Sequence, residues 1–198
     1  MTEGMSTAAR GSLRQEQAEA TRRRLVEAAV AVIEDGRQCT MRSTAKEAGV
    51  AERTIYRYFE SREQLAEAIG EALGPRAGAP LPDSTAELSQ YARRLFTTFD
   101  DNARLVTNMV FGAALEQDFE RSRAKNLADL RAIIDRDYPR AGLRDRRAAA
   151  ASLRALLSGA GWVYLRISCG LPNAEVIRSA QWSIDTALQR LGRAPRRR

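Results

Sequence analysis

Apolar residues recur at spacings of three and four along nearly the whole chain, and no stretch alternates apolar with polar for long. That period belongs to amphipathic helices and argues against strands. Leu25, Ala29, Val32 and Ile33 mark one face of a first helix over about 16–35, with Gly36 placed to end it. Thr40 is a good N-cap for a second helix that stops at Gly49, and a third covers about 52–59. A fourth follows Ser61, whose Arg-Glu-Gln sequel has capping-box spacing, and reaches about Leu73. Gly74, Pro75, Gly78, Pro80 and Pro82 then form the one long breaker-rich stretch.

Beyond that break Ser84 and Thr85 can cap a helix whose face reads Leu88, Tyr91, Leu95 and Phe99. Helices over about 103–117 and 119–138 follow, and then a long pair, 144–169 and 173–191, joined at Gly170-Leu171-Pro172. The expected fold class is all-α, with an N-terminal helix-turn-helix domain and a C-terminal helical domain that dimerises. The expected boundaries are a disordered arm over 1–17, a first domain over 18–74, a linker over 75–83, a second domain over 84–192 and a basic tail over 193–198. From Ala155 to Cys169 the penultimate helix is apolar on nearly every side. A helix apolar all round must be covered all round, and a second copy of the chain is the simplest cover for the face its own domain leaves open.

Composition narrows the chemistry. The 198 residues include no His, which excludes a His general base, a Ser-His-Asp triad and His-ligated zinc. Cys39 and Cys169 stand far apart with no CxxC pairing and fit a reducing compartment. No apolar run is long enough for a membrane helix, and a cytoplasmic location is expected. No catalytic residue, metal or cofactor is expected either: there is no Gly-rich phosphate loop and no metal-spaced carboxylate cluster.

The net charge of +7 does not by itself locate a nucleic-acid site, because residues 1–74 carry 11 basic and 12 acidic side chains. A local patch does exist over 37–62, where Arg37, Arg42, Lys46, Arg53, Arg57 and Arg62 outnumber Glu47, Glu52 and Glu60. The same stretch has the logic of a helix-turn-helix. A short helix leads to a glycine able to take positive φ, Gly49, and then to a second short helix. Ala45 and Ala48 permit close helix packing, and Val50, Ile55 and Phe59 can turn inward, leaving Glu52, Arg53, Thr54, Tyr56, Arg57 and Tyr58 to face outward or sideways.

From Thr21 to Leu73 the sequence resembles the DNA-binding domain of TetR-family transcriptional regulators. The pattern is Thr40-x-x-x-x-Ala45-x-x-Ala48-Gly49-Val50, then Thr54-Ile55-Tyr56-x-Tyr58-Phe59, then Ser61-Arg62-Glu63-x-Leu65. Three positions depart from it, one being Arg62, which replaces a common Lys and keeps the charge. Thr44 stands where a branched apolar residue is usual, and Ala51 replaces the usual Ser before the recognition helix.

The resemblance implies phosphate contacts from Thr40, Arg42, Ser43, Tyr56, Tyr58 and Arg62, which position the domain without reading sequence. It implies base-edge contacts in the major groove from Arg53, Thr54 and Glu52, with Arg57 able to serve either purpose. Arg suits guanine O6/N7, Thr a thymine methyl and Glu the cytosine amino group. Glu52 also fits a plain role as a dipole partner at a helix N-terminus. One contact from the triplet Arg22-Arg23-Arg24 is expected to reach phosphate. The resemblance further implies a homodimer through the last two helices on a double-stranded operator. It also implies an unidentified small-molecule effector among the middle helices, for which Tyr91, Leu95, Phe99, Met109, Phe111, Leu130 and Trp162 are the candidate lining. The expected function is that of a ligand-responsive repressor. The competing reading is an architectural DNA-binding protein with no effector, which would tolerate many sequences.

Overall fold

A computed structural model describes residues 3–77, 80–111 and 120–193, with side chains over 14–74, 80–111 and 124–193. Every regular element among them is helical, and none of these helices is long and apolar enough to cross a membrane. The chain divides into two compact units between Ala72 and Leu73.

The first unit contains α1 (Glu3–Glu34), α2 (Met41–Glu47), α3 (Glu52–Ile55) and most of α4 (Arg62–Ala77). Gly36, at φ 70°, closes α1 in the left-handed conformation that glycine adopts without penalty. Leu25, Ala29 and Val32 of α1 are buried with Ala45, Ile55, Phe59, Leu65 and Ile69. Thr44 is buried too, and its hydroxyl lies 3.7 Å from Cys39 Sγ, so the polar atom standing in for an apolar branch has a partner.

Three expectations for this unit are revised. The segment read as a disordered arm over 1–17 is helical from Glu3 onward. The described side chains from Arg14 to Ala20 are all exposed. The third helix is a single turn ending at Ile55, followed by turns to Tyr58. At Ser61, Gln64 does not close a reciprocal box. Its side chain accepts instead from the Glu60 backbone N–H at 2.9 Å.

The second unit opens with a 3₁₀ turn (Thr85–Glu87), followed by α5 (Leu88–Asp101), α6 (Ala103–Phe111), α7 (Glu120–Asp137), α8 (Leu143–Leu156), α9 (Gly159–Val163) and α10 (Asn173–Gly192). A π-helical stretch (Tyr164–Ser168) extends α9. In this unit α5 packs against α10, α7 against α8 and α6 against α9. The apolar stripe of α5 (Leu88, Tyr91, Leu95, Phe99) meets Leu130, Ile134, Trp162, Val176, Ala180 and Ile184 in one core. Trp162 donates its indole N–H to Asn173 Oδ1 at 3.2 Å, and Asn173 donates in turn to the Phe96 carbonyl at 3.2 Å.

The Ser84-Thr85 start is capped from a distance. Asp137 Oδ2 accepts from the Thr85 backbone N–H at 2.8 Å and from its hydroxyl at 2.9 Å. The linker expected over 75–83 is helical to Ala77, while residues 78–79 and the tail beyond Arg193 lie outside the described residues. The far end of the helix expected over 103–117, beyond Phe111, lies outside them as well.

The single helix expected over 144–169 is broken. Leu157 (φ −81°, ψ 56°) and Ser158 (φ −142°, ψ 161°) leave helical geometry. Ser158 Oγ accepts from the Gly161 N–H at 3.0 Å to start α9 afresh, and Arg154 Nη1 donates to the Leu157 carbonyl at 3.0 Å. Leu157, Trp162 and Val163 turn inward, whereas Tyr164 and Ile167 stay exposed.

Candidate nucleic-acid interface

The site is built on the α2–α3 corner. Thr40 is extended (φ −131°, ψ 164°) and caps α2 reciprocally with Ser43. The Ser43 N–H donates to Thr40 Oγ1 at 3.0 Å, and the Thr40 N–H donates to Ser43 Oγ at 2.8 Å. A capping box normally uses Glu or Gln at the third position, and here a serine does the same work. Its hydroxyl proton is directed to the Gln38 carbonyl at 2.8 Å. Thr40 and Ser43, expected at phosphate, also build the start of α2.

At the corner Gly49 takes φ 66°, a conformation costing an L-residue roughly 1–2 kcal/mol. The Val50 N–H returns to the Ala45 carbonyl at 2.9 Å, closing α2. Arg24 of α1 donates to the Ala48 carbonyl beside this corner. Ala51 begins α3 in extended conformation with no side-chain cap, as its lack of a hydroxyl dictates.

Past the corner, Arg53 and Arg57 are exposed, Thr54 and Tyr58 are half-buried, and Tyr56 is 51% exposed. Ile55 and Phe59 between them are buried, at 0% and 1% exposure. This alternation anchors one side of the turn and leaves the other to solvent. Arg62 sits half-buried in the first turn of α4.

Several expected cations are already engaged. Arg37 pairs with Glu47 at 2.6 Å and Asp35 at 3.1 Å, and these hydrogen bonds raise its pKa above the ordinary guanidinium value. The Arg42 Nε lies 3.0 Å from Glu52 Oε2, which ties the start of α2 to the start of α3. Arg22 places its guanidinium 5.1 Å from the centre of the Phe59 ring. Of the triplet Arg22-Arg23-Arg24, then, the outer two hold the domain together. Sequence reading missed these ties because all but Arg37–Asp35 join residues at least ten positions apart.

The effector candidates fall into two groups. Tyr91, Leu95, Phe99, Leu130 and Trp162 belong to the buried core. Burial pushes the Tyr91 phenol up, while Arg154 and Arg94 oppose the shift. Met109 is half-buried, and Phe111 is 68% exposed. Phe111 falls on the side of α6 opposite Leu105 and Val106, so helical phase turns it away from the core it was expected to line.

This arrangement defines a helix-turn-helix DNA-binding protein. Residues 25–69 match the family described as bacterial regulatory proteins, tetR family. No curated protein matches the chain by sequence. In fold it is similar to a putative TetR-family transcriptional regulator from Mesorhizobium loti MAFF303099, with TM-score 0.52 and 20% identity, covering 87% of this chain and 96% of that one. It is also similar to a transcriptional regulator from Rhodococcus sp. Rha1, with TM-score 0.57 and 16% identity, covering 85% of this chain and 96% of that one.

Proposed function

We propose that the protein is a ligand-responsive transcriptional repressor that binds a palindromic operator as a homodimer and is released by a small apolar effector. The observation that carries the DNA reading is the exposure of Arg53 and Arg57 beyond the Gly49 corner, on a turn anchored by buried Ile55 and Phe59. Arg53 and Thr54 address base edges, with Arg57 beside them. Arg42, Tyr56, Tyr58 and Arg62 contact phosphate, with Thr40 and Ser43 holding the helix start in place.

Two such readers on two half-sites give the specificity that one lacks. Tyr164 (63% exposed), Ile167 (51%) and Trp182 (70%) supply apolar surface on the last helical segments for a second copy to cover. An effector seated among residues such as Tyr91, Phe99, Met109 and Trp162 acts by preferring a conformer whose readers misfit the operator.

Selection of duplexes from a random pool with the purified protein tests the reading, and a palindromic consensus is expected. Arg53→Ala should then weaken that consensus by roughly 1–3 kcal/mol while leaving unrelated DNA nearly unaffected. A pool without consensus would favour an architectural binder.

A further inference from the structure

The pair between Arg42 and Glu52 spans the two helices of the reader. Arg42 lies in the first turn of α2 and Glu52 is the first residue of α3, with Nε and Oε2 3.0 Å apart. Both side chains are in water, 82% and 43% exposed. A pair this exposed contributes little to folding. Its importance lies in what it occupies. A carboxylate oxygen satisfies a guanidinium N–H with the same charge-assisted geometry that a phosphate oxygen would. Arg53 and Arg57, the other exposed arginines of the corner, make no ion pair among the described residues.

We propose that Glu52 is a built-in anionic competitor for Arg42, holding its guanidinium in the free protein so that a DNA phosphate must displace a carboxylate to reach it. The proposal rests on the DNA-binding reading above. Displacement leaves the Glu52 carboxylate beside the phosphate backbone, where like charges repel. Both effects weaken binding to every duplex equally and leave the ranking of sequences to Arg53 and Thr54. Glu52 is then a positioning residue acting through Arg42, and it reads no base.

The test is a double-mutant cycle on the full-length protein, measured by fluorescence anisotropy on a mixed-sequence duplex and on a duplex recovered from the random pool. Glu52→Gln is expected to tighten both by about two- to fivefold, the scale of an exposed ion pair. That gain should shrink to the part due to phosphate repulsion when Arg42 is already alanine. An equal gain in the Arg42→Ala background would overturn the proposal, since Glu52 would then act as a general negative charge. Unchanged or weaker binding by Glu52→Gln would also overturn it, as would an altered preference at one base position. Wild-type protein that binds neither duplex at low salt would defeat the DNA-binding reading itself, and this inference with it.

Discussion

Arg22, in the middle of α1, sets its guanidinium 5.1 Å from the centre of the buried Phe59 ring, just past α3. The contact fastens the recognition turn to the longest helix of its unit. A cation over an aromatic face contributes about 0.5–1 kcal/mol at such a site. Arg22→Ala should therefore lower the unfolding free energy by about that amount in a urea titration, and Arg22→Lys should keep part of it. Unchanged stability with weakened DNA binding would instead make Arg22 a phosphate contact.

Thr40 and Ser43 exchange hydrogen bonds at 3.0 and 2.8 Å. Thr40→Ala removes the side-chain acceptor and should cost about 1–2 kcal/mol. Thr40→Ser keeps the acceptor and should be close to neutral. Because the cap shapes α2, DNA affinity should fall together with stability, as thermal melting and anisotropy on the same samples would show. Loss of affinity at full stability would restore a direct phosphate role.

Asp137 receives the Thr85 backbone N–H, which, with Arg136 and the Thr85 hydroxyl, holds its carboxyl below the usual carboxylate range. The group is more acidic folded than unfolded, so its contribution is fully present above the unfolded value of about 3.9 and disappears as pH falls through the folded one. With allowance for solvent screening, the effect is on the order of 1 kcal/mol. Asp137→Asn should destabilise the protein at neutral pH and flatten the acid side of its stability curve. Parallel curves for the two proteins between neutral and strongly acidic pH would contradict this.

A Cβ at Gly161 would collide with the Leu156 carbonyl oxygen and stand 2.6 Å from that of Ala155. Backbone cannot move aside as a side-chain tip can. Gly161→Ala should cost roughly 1–3 kcal/mol, the scale of overpacking. Gly159, whose Cβ would meet only Val106 and Val110 side-chain methyls at 3.3 and 3.4 Å, should accept alanine at smaller cost. Equal melting temperatures for the two variants would argue against the tight corner.

The reader was legible because its determinants are local: a hydroxyl before a short helix, small Ala45 and Ala48, a glycine with φ 66°, and buried Ile55 and Phe59 at helical spacing. Thr85 shows the limit. A cap was expected there from its own neighbourhood, and it comes from Asp137, 52 residues away. The break at Leu157 was hidden for another reason. Apolar periodicity runs on through Ser158, and only the Ser158–Gly161 bond and the close carbonyls reveal that the chain restarts. Arg42–Glu52 was invisible because two exposed charges ten residues apart carry no pairing signal until the corner folds. The first residues of α1 read as an arm because they are mostly small, polar or basic, with too few large apolar side chains to mark a face.

The bend after α8 divides labour among neighbouring residues. Arg154, Ser158 and Gly161 hold its shape, while Tyr164 and Ile167 are merely displayed by it. Because scaffold and display are different side chains, Tyr164 and Ile167 can be exchanged for others with no cost to the turn beneath them. On the proposed dimer face, a lineage could thereby change which copies pair by altering two positions, and keep the architecture unchanged.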